Sequence, residues 1–278
     1  MKCAWEPFLS VLPPGLRDKV DKYGKDEPVE LRLRLGQPAE LVMCRTNRSL
    51  DKRVTEEDIR YVVNTASRYS PWAASTIGKG YVTAPGGHRI GICGECVIKD
   101  GTMTGIRTVT SLCIRIARDF PGIGKEIPTK GSLLILGPPG AGKTTLLRDL
   151  IRMRSIAGAI TVVDERGELF SSGQAFDTGP RTDILTGCSK AQGIEIALRT
   201  MGPKCIAVDE ITALEDCQAL INAAWCGVEL LATAHAEKVD DLHKRAIYRP
   251  LLSCGVFSQA VVLGRDRFWR MERMGICT

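Results

Sequence analysis

The sequence predicts an α/β protein in which a mostly parallel sheet, covered by helices on both faces, follows a small α+β domain. Two observations lead to this fold class. From residue 131 onward, short apolar runs of strand length alternate with longer segments of helical periodicity, as in parallel strands joined by crossover helices. Before residue 119, strands of period two and glycine turns surround one amphipathic helix, which indicates local pairing instead.

The composition is that of an ordinary globular protein, with 44% hydrophobic and 25% charged residues in a chain of 278. The net charge of +6 is too small to identify an acidic partner. No apolar run approaches the roughly 18 residues that span a bilayer, and the first residues lack the apolar core of a signal peptide. We therefore expect a cytoplasmic protein without a transmembrane segment, which reaches a membrane only through partners.

The eleven cysteines are spread along the chain without the dense pattern of a disulfide-bonded secreted domain. We expect most of them to be reduced and to pack as small hydrophobic side chains. The one suggestive spacing is Cys93-Gly94-Glu95-Cys96. A tetrahedral zinc site needs a second such pair, which the chain lacks, so metal binding by these two cysteines is left as an open alternative.

Two segments of the first domain have clear signals. Val29–Leu35 alternates apolar and polar residues at every step, which predicts a half-buried strand, and residues 39–44 are its expected partner. Thr55 precedes three acidic residues, which is a favourable start for a helix. One apolar face follows at helical spacing and is expected to pack on the sheet. That face consists of Ile59, Val62, Val63, Ala66 and Tyr69.

Short strands and glycine turns follow from residue 78, and they predict a small mixed sheet. The candidate strands are 80–83, 88–92, 97–98 and 111–118. Two prolines and two glycines between Asp119 and Lys130 indicate the connection between the domains. We predict an N-terminal domain at 1–118, a linker at 119–131 and a second domain at 132–278.

The second domain is expected to alternate strands and helices. The candidate strands are Ser132–Leu136, Ile160–Asp164, Cys205–Asp209, Glu229–Ala234 and Ala260–Leu263. The candidate helices are Lys143–Arg154, Ala191–Met201, Leu214–Cys226 and Val239–Ser253. Open parallel sheets bind ligands beyond the carboxyl ends of their strands, so the residues that follow these strands are the first candidates for a site.

Residues 137–144, Gly-Pro-Pro-Gly-Ala-Gly-Lys-Thr, fit the phosphate-binding pattern Gly-x4-Gly-Lys-Ser/Thr between a buried strand and a helix. The glycines allow backbone N–H groups to surround phosphates at the positive end of the helix. We expect Lys143 to neutralise the β- and γ-phosphates and the Thr144 hydroxyl to bind Mg²⁺. The predicted nucleotide-binding residues are Gly137, Pro138, Pro139, Gly140, Ala141, Gly142, Lys143, Thr144 and Thr145.

Three further motifs follow predicted strands. Asp209 and Glu210 end a hydrophobic strand, where Asp209 can complete the Mg²⁺ shell and Glu210 can orient or deprotonate the attacking water. Another strand runs into Asp164 and Glu165, where a catalytic role competes with an ordinary solvated turn. His235 ends a third strand, where its side chain can either sense a γ-phosphate or serve the structure alone.

Together these motifs resemble a known family. Their order along the chain is similar to that of the secretion and pilus-retraction ATPases, and the sequence resembles the stage III sporulation protein AA family of endospore-forming bacteria more closely. The resemblance covers residues 80–117 and nearly all of 137–235. Its most specific segments are Val163–Glu168, Arg181–Leu185 and Ala232–His235.

The resemblance implies a RecA-like ATPase that uses ATP and Mg²⁺ and forms a hexamer with nucleotide between protomers. It implies a location in the mother-cell cytoplasm, at a channel assembled between mother cell and forespore, with the channel proteins as partners. Related ATPases carry a water-orienting acid where this chain has Asp164, so Asp164 and Glu210 compete for the role of base. The distance from Lys143 in the sequence favours Glu210, with Glu165 as a further supporting acid. Candidate arginines for charge neutralisation across an interface are, by position only, Arg89, Arg115 and Arg199.

The chain departs from the family pattern at residues 211–213, directly after Glu210, and at residues 245–246 in the last predicted helix. It also departs at residues 257–259, where Gln259 replaces the usual basic residue. Two other functions fit the motifs. A nucleic-acid translocase would use the same ATPase core, but the chain has no recognisable nucleic-acid module and few aromatic residues for base stacking. An ATP-dependent scaffold with little turnover is disfavoured because the phosphate-binding and acidic residues are intact.

Overall fold

The computed structural model describes residues 2–43, 46–67, 77–78, 80–170 and 176–275. The described residues fall into two units. The first contains the described residues up to Asp119 together with Phe176, and the second contains Phe120–Phe170 and the described residues from Asp177 onward. The domain limits drawn from the sequence stay a prediction. No helix in the described part of the chain has the length and hydropathy that crossing a membrane requires.

The first unit is built on a six-stranded antiparallel sheet. Its elements, in chain order, are β1 (Lys2–Cys3), α1 (Trp5–Ser10), α2 (Pro14–Asp21), β2 (Pro28–Arg34), β3 (Pro38–Met43), β4 (Asn47–Arg53), α3 (Glu56–Ser67), β5 (Tyr81–Ala84), β6 (His88–Lys99), β7 (Thr102–Arg115) and β8 (Arg118–Asp119). The strand order is β4-β3-β2-β7-β6-β5, and β1 pairs separately with β8. One hydrophobic core covers the inner face of the large sheet.

The alternation in β2 is confirmed, because Leu31 and Leu33 are fully buried while Arg32 and Arg34 are exposed. The predicted helix also begins as expected. The backbone N–H of Thr55 donates to Asp58 Oδ2 at 2.9 Å, and the N–H of Asp58 donates to Thr55 Oγ1 at 3.2 Å. This reciprocal pair satisfies donors that the first turn of a helix leaves open.

Several features of the first unit differ from the sequence prediction. Helices α1 and α2 and strand β4 were not predicted, because they are short and contain prolines or many charged residues. Strand β6 is one continuous strand where the sequence predicted two. Its second half is largely exposed, so burial does not require apolar and polar residues to alternate there. Cys44 and Tyr69, assigned to a strand and a helix face, lie outside the described residues.

His88 is a fully buried polar side chain of the first unit. The backbone N–H of Ala117 donates to His88 Nδ1 at 3.0 Å, so Nε2 carries the proton and donates to the carbonyl of Ala4 at 2.8 Å. The neutral ring therefore has both nitrogens paired. Burial lowers the pKa of His88 from 6.5 to about 4.

We expect acid to destabilise the first unit through His88. The unfolded chain binds a proton near pH 6.5 and the folded chain only near pH 4, so this stabilisation is complete above about pH 6.5 and is lost as the pH falls towards 4. The loss amounts to about 3 kcal/mol. Urea denaturation at pH 7 and pH 4.5 measures it, and His88→Gln should be less pH-dependent than the wild type. Equal pH dependence in the two proteins would contradict this assignment.

The second unit contains a seven-stranded sheet. Its elements, in chain order, are β9 (Leu133–Leu136), α4 (Lys143–Ser155), β10 (Ile160–Asp164), β11 (Thr182–Thr186), α5 (Lys190–Thr200), β12 (Cys205–Glu210), α6 (Leu214–Trp225), β13 (Glu229–Ala234), α7 (Asp240–His243), a 3-10 turn (Ala246–Tyr248), α8 (Arg249–Ser253), β14 (Gln259–Leu263) and β15 (Trp269–Arg273). The strand order is β11-β10-β12-β13-β9-β14-β15. Only the β14–β15 pair is antiparallel, so the predicted mostly parallel sheet is confirmed.

This strand order brings distant segments together. Strand β9, which leads into the glycine-rich segment, lies between β13 and β14. Strand β13 in turn separates β9 from β12. Because these four strands are parallel, their carboxyl ends and the residues that follow them lie at one edge of the sheet.

The single helix predicted for Val239–Ser253 is wrong. The segment forms α7, a 3-10 turn and α8, and Pro250 lies in the first turn of α8. Proline has no N–H to donate to the carbonyl four residues earlier, so it is compatible with the start of a helix but not with its interior. Strands β11 and β15 were not predicted.

Candidate functional site

The segment between β9 and α4 has the backbone that a phosphate-binding loop needs. Gly140 and Gly142 have φ angles of +77° and +100°, in the left-handed region that glycine enters without strain. Gly142 precedes α4, and no side chain caps this helix. The first N–H groups of α4 therefore lack both helical acceptors and a side-chain cap.

The Lys143 side chain is buried and folds back onto the loop. Its ammonium donates to the carbonyl of Gly137 at 2.8 Å and to that of Pro138 at 3.1 Å, and lies 2.8 Å from His235 Nδ1. An ammonium has three donors, so these three partners use all of them. Burial lowers the pKa of Lys143, whereas the nearby acids at the end of β12 raise it.

His235 connects this lysine to an acid. Because an ammonium cannot accept a hydrogen bond, His235 Nδ1 is the acceptor from Lys143 and Nε2 carries the proton. Nε2 lies 2.9 Å from Glu210 Oε2 and donates to it. One imidazole thus joins the phosphate-loop ammonium to the carboxylate at the end of β12, which is possible because β13 lies between β9 and β12.

Asp209 and Glu210 are neighbours in the chain with different surroundings. Asp209 Oδ1 accepts a hydrogen bond of 3.2 Å from the Thr233 hydroxyl, and burial raises the pKa of Asp209. The Glu210 side chain is 40% exposed. The pairing of β12 with β13 shifts register between Val208 and Glu210, and such a bulge changes where successive side chains lie. Both acids consequently contact residues of, or directly after, β13.

Asp164 is almost completely buried, and both of its oxygens bind backbone N–H groups. Oδ1 accepts from Glu168 at 2.8 Å, and Oδ2 accepts from Leu169 and Phe170 at 2.9 Å each. Burial raises the pKa of Asp164 to about 6, although the backbone hydrogen bonds oppose this shift. The carboxyl group therefore holds the turn that follows β10.

Glu165, the other acid predicted at the end of this strand, is neutralised locally. Glu165 Oε2 accepts a hydrogen bond of 2.8 Å from the buried Lys190 ammonium. Arg148 of α4 donates to the carbonyls of Leu169 at 2.6 Å and Glu168 at 2.8 Å, which ties the turn to the phosphate-loop helix. The cavity at this edge is lined by Asp164, Glu165, Arg166, Glu168, Lys190, Asp209, Glu210 and Thr212.

The three candidate arginines have other contacts within the chain. Arg199 lies on the exposed face of α5 and forms an ion pair with Glu195 one turn earlier. In the first unit, the Arg115 Nε lies 3.7 Å from a carboxylate oxygen of Glu30, and the Arg89 guanidinium lies over an aromatic ring. The structure does not bring Arg199 into the Lys143 network, so its catalytic role stays a prediction.

Cys93 and Cys96 both lie in β6, are exposed and form no disulfide. Within the described ranges, no group of three or more histidine, cysteine or acidic side chains is arranged to hold a metal ion.

The loop and its surroundings fit the polyphosphate of a nucleotide with Mg²⁺. The uncapped start of α4 offers backbone donors, and Lys143 supplies a cation. Thr144 offers a half-buried hydroxyl next to that lysine, and Asp209 supplies a carboxylate held by Thr233. Oxygen ligands of this kind are the ones that Mg²⁺ prefers.

Comparison with known proteins assigns the chain to a protein family. The family model for sporulation stage III, protein AA, matches residues 9–271. The chain belongs to the stage III sporulation protein AA family. This member of the family is 33% identical over 279 residues to stage III sporulation protein AA of Bacillus subtilis (strain 168). The alignment covers 94% of this chain and 91% of the Bacillus protein.

Two solved structures with the same fold are a pilus retraction motor and an ATPase. The pilus retraction motor PilT with bound ADP has a TM-score of 0.62 at 17% identity, covering 89% of this chain and 76% of PilT. The ATPase DotB of Legionella pneumophila has a TM-score of 0.56 at 15% identity, covering 88% of this chain and 76% of DotB. At these identities the likeness establishes the fold, and the RecA-like fold expected for this sporulation family member is confirmed.

Sequence reasoning missed the residues that position the acids. Thr233 holds Asp209, and Lys190 pairs with Glu165. A signal for Thr233 was present, because it is a polar residue inside an otherwise apolar strand. Lys190 and Arg148 had no such signal, since charged residues at the start or on the face of a helix are usually solvated.

Proposed function

We propose that the chain hydrolyses ATP as a ring-forming, hexameric motor that energises or assembles a secretion-type trans-membrane channel during endospore formation. The observation that carries this proposal is the hydrogen-bonded connection from Lys143 through His235 to Glu210. It joins a phosphate-binding cation to an acid suited to activate water. Membership in a sporulation family supports the setting, which we place in the mother-cell cytoplasm at a membrane reached through partner proteins.

Binding would use the loop and the end of β12. The loop N–H groups and Lys143 bind the β- and γ-phosphates, as the Gly-x4-Gly-Lys-Thr pattern requires. Thr144 and Asp209 would hold Mg²⁺, and the Thr233 hydroxyl orients Asp209 for this role. A bound Mg²⁺ ion would neutralise negative charge on the phosphate oxygens.

Hydrolysis needs a carboxylate that can contact water and act as a base, and Glu210 fits this role better than Asp164. One oxygen of Glu210 accepts from His235, and its Oε1 has no partner among the described protein atoms. That oxygen can orient the attacking water and take its proton. Both Asp164 oxygens already accept backbone N–H bonds, so we assign Asp164 to the turn after β10, with Glu165 as a second supporting acid.

His235 would report the state of the γ-phosphate. When Lys143 donates to a phosphate oxygen, its bond to His235 Nδ1 must weaken or change, and the imidazole carries that change to Glu210. The charge that develops during transfer also needs neutralising from a neighbouring protomer. Arg89, Arg115 and Arg199 are the proposed sources of that contact.

Particle mass and turnover, measured on the same preparation, test this function. We expect a non-hydrolysable ATP analogue to convert the 30.3 kDa chain into particles of six times that mass. In separate samples with ATP, we expect turnover per chain to rise with protein concentration as the rings form. Full turnover by the monomer would contradict the ring. Rings without turnover would favour the scaffold, and stimulation by DNA or RNA that falls steeply with salt would favour a translocase.

A further inference from the structure

The turn between β14 and β15 leaves the sheet beside the phosphate loop. Strand β14 is the parallel neighbour of β9, with Val262 opposite Leu136. The loop and the end of β14 are in close approach, because a Cβ added at Gly137 would lie 3.0 Å from the carbonyl oxygen of Leu263. The turn Gly264–Phe268 follows Leu263 directly and therefore begins beside the loop, on its β14 side.

The groups that act on the γ-phosphate lie on the other side of the loop. Glu210 is the last residue of β12 and His235 follows β13, and both strands lie on the opposite side of β9 from β14. A nucleotide whose γ-phosphate faces Glu210 has its ribose and base at the far end of the polyphosphate. If the proposed hydrolysis is correct, that far end extends towards β14 and the turn after it.

The turn itself is ordered and carries an exposed aromatic ring. The Gly264 N–H donates to the carbonyl of Phe268 at 2.9 Å, and the Phe268 N–H donates to Asp266 Oδ1 at 3.2 Å. Phe268 is nevertheless 78% exposed, between the exposed Arg267 and the half-buried Trp269. A large apolar side chain held in water on an ordered turn provides a flat surface for a ligand.

We propose that Phe268 is the stacking surface for the nucleobase of the bound nucleotide. Aromatic side chains stack on any base, because every base has a π-face, so this contact recognises the presence of a base and not its hydrogen-bonding edge. The larger purines gain more from stacking than pyrimidines. The exposed Arg265 and Arg267 place positive charge on the same turn, which favours an anionic ligand such as a nucleotide. This proposal rests on the proposed ATPase function.

Equilibrium binding of ADP and of inorganic pyrophosphate, measured by calorimetry with Mg²⁺ on the full chain, separates the base from the phosphates. We expect Phe268→Ala to weaken ADP binding about 5- to 100-fold and to leave pyrophosphate binding unchanged. Phe268→Tyr should retain ADP binding. The matched control is Trp225→Ala, because Trp225 is 71% exposed at the end of α6, away from the carboxyl edge of the sheet.

The outcomes are distinguishable. Unchanged ADP affinity in Phe268→Ala overturns the stacking role while leaving the proposed ATPase intact. Equal weakening of ADP and pyrophosphate also overturns it, because the change would then act on the loop and not on the base. A wild-type chain that binds neither ligand would instead contradict the proposed function.

Discussion

Replacing Glu210 with glutamine should abolish ATP hydrolysis while leaving ATP binding close to that of the wild type. Glutamine keeps the size of the side chain and an oxygen that can accept from His235 Nε2, but it cannot take a proton from water. A positioned general base contributes about 100- to 10,000-fold to a rate, so turnover should fall by at least about 100-fold. Phosphate release at saturating ATP, together with equilibrium binding of ATP, measures both parts of this expectation.

The control for this variant is Glu215→Gln, which removes an exposed carboxylate in the first turn of α6 and should leave turnover unchanged. Hydrolysis by Glu210→Gln within about tenfold of the wild-type rate would rule out Glu210 as the base. The role would then pass to Asp164, and Asp164→Asn would become the decisive variant.

Replacing Lys143 with alanine should remove both ATP binding and turnover. The substitution takes away the cation for the β- and γ-phosphates and breaks the connection to His235. Loss of one group that stabilises transition-state charge typically costs about 100- to 1,000-fold in rate, and we expect turnover to fall by at least that factor. Calorimetry with ATP and a turnover assay measure the two effects.

Alanine at position 143 also leaves the carbonyls of Gly137 and Pro138 without their donor, which costs stability. Lys143→Gln separates charge from hydrogen bonding, because glutamine can still donate but carries no charge. It should be as inactive as Lys143→Ala while melting closer to the wild type. Lys204→Ala removes the same charge from an exposed position before β12 and should bind ATP normally. Wild-type ATP affinity in Lys143→Gln would contradict the phosphate-binding role.

The parallel strands could be predicted from the sequence because burial on both faces leaves uninterrupted apolar runs. All four residues of β9 are buried, and the run was visible as Leu-Leu-Ile-Leu. Strands β11 and β15 lie at the two edges of the same sheet and are only partly buried. Their sequences therefore need few apolar residues, and periodicity gave no signal for them. The break at Pro250 was readable in principle, because proline excludes a helix interior.

The sequence was enough to locate the residues of the candidate site, but not to predict which of them contact one another. Lys143, Glu210 and His235 each follow a predicted parallel strand, which places all three at the carboxyl edge of the sheet. The alternation of strands and helices does not specify the order β12-β13-β9, and this order puts His235 between the other two. For Asp164, the sequence predicted the position but left the role of the side chain open. The sequence allowed a catalytic acid or a solvated turn, and the structure shows a buried carboxyl group that organises a turn.

The position of β9 between β13 and β14 also determines when the site can form as the protein is made. The ribosome synthesises β9 and the phosphate loop well before it reaches either neighbouring strand. Until β13 and β14 emerge, an apolar strand has no partner in the sheet, and pairings between distant segments are slow to form. The phosphate loop should therefore reach its final conformation among the last steps of folding. A nascent chain that stops after α6 would carry every residue of the loop and both acids at 209 and 210, but no working site.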